Sequence, residues 1–123
     1  MSVVTTLSVV AGNDVRVANH PEVYIPNVVV QEITPQEYLK EHAGSDFELL
    51  SRIIVCESGW KPAAQNKVST AGGLFQFLDS TWSRTASSSW EKYNPYRNID
   101  AGIALFKKEG TQPWKESESC WKR

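Results

Sequence analysis

The chain has 123 residues, 41% hydrophobic and 22% charged, with a formal net charge of −1. That balance describes one small folded domain, or one domain plus an arm, and excludes a disordered polyampholyte, a collagen-like fibre and a coiled coil. The near-neutral charge argues against a nucleic-acid partner. No run of 18 apolar residues occurs, so no membrane-spanning helix is expected. Residues 46–123 carry eleven bases against nine acids, so this part is mildly basic and can tolerate a polyanionic surface.

Residues 1–33 read as extended and β-prone. Apolar pairs and triplets recur at Val3-Val4, Val9-Val10, Val15-Arg16-Val17, Val23-Tyr24-Ile25 and Val28-Val29-Val30. Gly12-Asn13-Asp14 predicts a hairpin turn between two of them. Pro21 and Pro26 restrict the later runs to edge strands or extended strap. The expectation is an arm packed on the main body, with a partner-binding strand or the end of an upstream domain as alternatives. Residues 1–12 lack a basic start and are broken by Ser2, Thr5, Thr6 and Ser8, which makes a weak secretory signal.

Residues 34–123 read as a mainly α body. Thr34-Pro35-Gln36-Glu37 is a capping box with Pro at the first helical position, predicting a helix to about residue 42 that Gly44 closes. Ser45-Asp46-Phe47-Glu48 reads as a second capping box. It opens a helix with Phe47, Leu50, Ile53 and Ile54 on one face, stopping at Gly59. A third helix is expected from Asp79 or Ser80 through Trp82, followed by a polar loop over 83–89. Asn98-Ile99-Asp100 is read as the start of a fourth, with Ile99, Ile103 and Phe106 inward and Gly110 at its end. The tail from Thr111 reads as irregular.

The chemistry concentrates at Glu57. Its position in the last turn of the second helix sets a carboxylate against the negative end of the macrodipole, and the apolar neighbours Ile53, Ile54 and Val55 oppose ionisation further. A carboxylic general acid needs that environment. Downstream, Gly72-Gly73 allows close backbone approach to a ligand. Gln76, between Phe75 and Phe77, is a polar group in an apolar wall. Either neighbouring backbone or a sugar hydroxyl or amide would satisfy it. Five tryptophans suit stacking on pyranose rings, with core packing the commoner use. His20 and His42 lie far from Cys56 and Cys120, so no zinc site is expected, and nothing points to a cofactor.

Four ordered motifs resemble the lysozyme-superfamily lytic transglycosylase domain. They are Glu57-Ser58-Gly59, Pro62-Ala63-Ala64-Gln65-Asn66, the stretch Ser69-Thr70-Ala71-Gly72-Gly73-Leu74-Phe75-Gln76, and Ser80-Thr81-Trp82. Asn98-Ile99-Asp100-Ala101-Gly102 resembles a later helix of that family. Pro113-Trp114 and Cys120-Trp121 are similar to the ending of a small subgroup associated with phages or cell envelopes. The resemblance covers about residues 45–121 and implies a small lysozyme-like α (α+β) domain at 34–123 behind the arm at 1–33. It implies cleavage of the β-1,4 bond from N-acetylmuramic acid to N-acetylglucosamine in peptidoglycan, outside the cytoplasm and by a monomer. Glu57 would be acid and then base, leaving 1,6-anhydro ends. Ser69, Gln76, Asn66, Gly73 and Trp114 would bind the glycan strand. An envelope or virion assembly is the implied partner of the arm.

The chain departs from that pattern at Asp79, where Pro is common, and lacks the Ala-Tyr-Asn-Ala-Gly motif whose Tyr helps hold the catalytic region. Two other readings therefore stand beside it. One is a hydrolytic muramidase with Asp79 or Asp100 orienting water, and the other a non-catalytic glycan-binding or virion-structural module. Work at the cell wall would favour a Cys56–Cys120 disulfide, which would pin the tail to the catalytic helix; two buried thiols are the alternative.

Overall fold

The computed structural model describes residues 5–9, 28–85 and 89–123. The chain divides into two compact units, Ser2–Ile33 and a larger one covering Thr34–Arg123. In the smaller unit, β1 (Thr5–Val9) pairs antiparallel with β2 (Val28–Glu32), with Leu7 opposite Val30 and Val9 opposite Val28. The turn expected at Gly12-Asn13-Asp14 and the runs at residues 3–4, 15–17 and 23–25 lie outside the described residues.

The larger unit is mainly helical. α1 (Pro35–Ala43) opens as its capping residues dictate: Thr34 Oγ1 accepts the Glu37 N–H at 3.1 Å and Pro35 fills the first turn. Gly44, at φ +57°, closes it. A 3₁₀ turn over Gly44–Asp46 leads directly into α2 (Phe47–Ser58). The second capping box is therefore not formed. The Phe47 N–H bonds the Gly44 carbonyl, and no side chain caps α2, because the two helices are too close for an extended N-cap between them. Leu50, Ile53 and Ile54 are fully buried, while Phe47 packs at the margin. The left-handed Gly59 ends α2, its N–H reaching the Ile54 and Val55 carbonyls.

After α2 the chain makes a compact loop of two antiparallel bridges, Gln65 with Gly72 and Gly72 with Phe77, before α3 (Asp79–Trp82). α4 (Pro95–Glu109) begins before the expected start at Asn98. Asn94 is its cap, accepting the Tyr96 and Arg97 N–H groups at 3.0 and 3.2 Å, and Pro95 takes the first position. Asn98 is instead a fully buried interior residue. The tail is more ordered than expected, with a 3₁₀ segment at Gln112–Ser117 and a short helix, α5 (Glu118–Trp121). One core joins Leu39 of α1, the apolar face of α2, Leu74, Phe75 and Phe77 of the loop, Trp82, Ile99 and Ile103 of α4, and Trp114 and Trp121 of the tail. The tail packs on both α2 and α4. Among the described residues no helix is long and apolar enough to cross a membrane.

Candidate active site

Glu57 stands one residue before the end of α2, half-buried. Gly59 and Trp60 follow it at φ +61° and +63°, so the backbone turns away immediately and leaves the carboxyl group at the helix end. Burial pushes the carboxyl above its ordinary value. A hydrogen bond from Ser117 Oγ to Glu57 Oε2, 2.5 Å long, pulls in the opposite direction without cancelling the effect. Cys56, the preceding residue, is disulfide-bonded to Cys120. The tail that carries Ser117 is thus tied covalently beside the carboxylate.

The loop from 61 to 78 is built on its own hydrogen bonds. Gln76 takes a left-handed φ of +55°, and its Nε2 donates to the Ala64 and Gly73 carbonyls at 3.1 and 2.9 Å. The backbone partner expected as one alternative is therefore present. Among the described residues the amide oxygen has no partner, which leaves an acceptor available at the surface of the loop. Asn66 Oδ1 accepts the Val68 N–H at 2.8 Å, and Ser69 Oγ accepts the Ala71 N–H at 3.2 Å. Both side chains are exposed and shape the tip of the loop.

Gly73, read from sequence as a point of close ligand approach, makes its close approach to protein. A Cβ there would run into the Asn98 amide and come within 2.5 Å of the Lys92 carbonyl, and φ is +81°. Trp114 is likewise a core residue, 4% exposed, tilted against Phe75 with its indole N–H on the Phe75 carbonyl at 3.1 Å. An edge of it, with Pro113, Gln76 and Leu78, lines a small cleft of about 160 Å³. That cleft shares Phe77, Thr81, Arg84, Leu105 and Glu109 with a larger one of about 350 Å³ along α4.

Both aspartates weighed as a second carboxylate have partners of their own. Asp79 accepts from Lys92 Nζ at 2.6 Å, and that buried ammonium also donates to the Thr70 carbonyl at 2.7 Å. Asp100 accepts the Tyr38 hydroxyl at 2.7 Å; burial first and then this bond and the Asp100 charge push Tyr38 up to about 12, against the opposing pull of Arg97. Asp100 lines the larger cleft, and Glu57 lines neither of the two. Among the described residues no cluster of His, Cys, Asp and Glu could hold a metal ion.

Two residues that matter here, Lys92 and Ser117, are not singled out by the sequence reading, and Asn98 is read there only as a helix start and part of a motif. Asn98 accepts the Phe75 N–H at 2.9 Å and donates to the Lys92 carbonyl at 2.9 Å, fixing the loop to α4. Its signal is its place one helical turn before Gly102 on a buried face of α4, where an amide requires partners. Lys92 sits in a polar stretch and gave no such signal. Ser117 precedes Cys120 by about one helical turn, and only the disulfide makes that spacing meaningful.

The family model described as the transglycosylase SLT domain matches residues 35–120, more than half of the chain. No curated protein and no solved structure matches significantly.

Proposed function

The chain belongs to the transglycosylase SLT domain family, and on that premise we propose that it cleaves peptidoglycan glycan strands with Glu57 as the single acid/base. The observation that carries this reading is a half-buried carboxyl at a helix end, held above its ordinary pKa, while Asp79 pairs with Lys92 and Asp100 accepts from Tyr38. Glu57 in its protonated form donates to the glycosidic oxygen as the bond to C1 of the muramyl residue breaks. The substrate N-acetyl group stabilises the developing cation, in place of the second carboxylate of most glycosidases. The ionised Glu57 then takes the proton of the muramyl 6-hydroxyl as that oxygen attacks C1. The carboxylic acid is restored and a 1,6-anhydro end forms, without water entering the balance.

Gln76 supports this reading through its amide oxygen, which has no partner among the described residues and offers an acceptor to a sugar hydroxyl or amide. Ser69 and Asn66 contribute from the exposed tip of the same loop. Action outside the cytoplasm follows from the substrate class and agrees with a disulfide, which persists in oxidising compartments. Clearing of a purified cell-wall suspension tests the assignment. Glu57→Gln keeps the shape but cannot cycle a proton, and general acid–base loss costs on the order of 10²–10⁴ in rate. Clearing at the wild-type rate by the Gln variant would remove Glu57 from the mechanism.

A further inference from the structure

The geometry points to Ser117 as the positioning residue for the Glu57 carboxyl group, a role that rests on the reading of Glu57 as acid and base. Ser117 Oγ donates to Glu57 Oε2 at 2.5 Å, and the Trp114 carbonyl lies 3.1 Å from the same hydroxyl. Among the described residues Glu57 Oε1 has no hydrogen-bond partner. A serine hydroxyl has one proton to give. Given to Oε2, it occupies that oxygen and leaves Oε1 as the atom that carries the catalytic proton. Once Glu57 has ionised, the same bond becomes charge-assisted and strengthens. One hydroxyl therefore holds the carboxyl plane through both proton transfers, with no movement of heavy atoms.

The hydroxyl is itself firmly placed. Trp114, buried in the core, accepts at its carbonyl from the Trp121 indole at 3.0 Å and donates its own indole N–H to Phe75. Cys120, three residues beyond Ser117, is bonded to Cys56, one residue before Glu57. Donor and acceptor are thus each within a turn of the same covalent link. Such a clamp matters because misplacing a reacting group by about 1 Å can cost on the order of 10² in rate. The chain lacks the Tyr-containing motif noted above, and Ser117 reaches the catalytic carboxylate from the tail instead.

No charged side chain among the described residues bonds Glu57. Glu48 and Arg52 share α2 with it, Lys115, Glu116 and Glu118 flank Ser117, and Lys122 and Arg123 end the tail; none pairs with it. Burial and Ser117 are the two influences on its protonation.

The test compares Ser117→Ala and Ser117→Thr in the full chain, with the disulfide verified by intact mass and folding by thermal melting. Rates are measured on a soluble oligosaccharide of alternating N-acetylmuramic acid and N-acetylglucosamine across pH. For Ser117→Ala, kcat should fall about tenfold or more, the worth of one hydrogen bond to a charged group, with KM unchanged. The alkaline limb of its profile should move to higher pH, because a donor that stabilises the carboxylate is gone. Ser117→Thr keeps the hydroxyl and should restore both. If the Ala variant does not fold, Ser117→Val, which has the shape of the Thr variant without its hydroxyl, takes its place. Wild-type kcat with an unmoved alkaline limb overturns the proposal, as does a folded Thr variant impaired as much as Ala. Activity that survives Glu57→Gln overturns the functional reading instead, so the two failures are distinct.

Discussion

Cys56 and Cys120, their Cα atoms 6.0 Å apart, join the residue before Glu57 to the helical turn that follows Ser117. The bond closes a loop with a sequence separation of 64 and encloses most of the domain. By the chain-entropy relation such a closure is worth about 4 kcal/mol. The double variant Cys56→Ser, Cys120→Ser should therefore melt at least ~10 °C below the wild type, and reductant should have the same effect on the wild type. Calorimetry with and without reductant checks this. A drop of only a degree or two would mean that the core alone holds the tail.

Buried Glu57 also makes a prediction about stability. Its folded-state pKa lies above the ordinary carboxylate value, so the folded chain binds this proton more tightly than the unfolded chain. That contribution is fully present below the unfolded value, about 4.3, and is lost as pH rises through the folded one. At neutral pH the wild type carries a destabilised carboxylate that Glu57→Gln does not. The Gln variant should melt higher than wild type at pH 7, and the gap should close by about pH 4. A gap that is reversed or independent of pH would contradict the burial of this carboxyl.

Asn98 links Phe75 and the Lys92 carbonyl from inside the core. Asn98→Ala leaves two buried backbone groups without partners, at about 1–3 kcal/mol each. Urea unfolding should show a loss of about 2–5 kcal/mol at an unchanged m-value. Full stability in this variant would show that water or a shifted loop replaces the amide.

The sequence made the helical frame legible where local chemistry decides structure. Thr34 with Pro35, and Gly44 and Gly59 as stops, act within a single turn. Glu57 at its helix end was legible for the same reason. Asn94-Pro95 carries the same cap-and-proline signature as Thr34-Pro35, but the apolar spacing of Ile99, Ile103 and Phe106 draws the expected start to Asn98, one turn late. Gly73 and Trp114 look alike from sequence whether they meet ligand or protein, and only Asn98 and Phe75, distant in the chain, decide it. The tail was read as irregular because its short elements are held by the Cys56 bond and by the burial of Trp114 and Trp121, not by propensity.

Gln76 has a structural part that the proposed glycan contact must be separated from. Its Nε2 supports the loop at two carbonyls while its oxygen remains free among the described residues. Gln76→Ala should therefore lose about 1–3 kcal/mol of stability and a larger share of activity than that loss explains at a temperature where it stays folded. Paired melting and cell-wall clearing at 20–30 °C below its midpoint would separate the two effects. Full activity in a folded Gln76→Ala would remove the amide oxygen from glycan binding.

The most direct measurement of the central claim is a mass spectrum of purified peptidoglycan digested by the wild-type chain, with Glu57→Gln in parallel. One carboxylate used twice, with Asp79 held by Lys92 and Asp100 by Tyr38, predicts soluble fragments ending in 1,6-anhydro-N-acetylmuramic acid and none from the Gln variant. Fragments with reducing muramyl ends would show that water is the attacking group. Binding without release of fragments would show that the chain keeps glycan recognition and not the reaction.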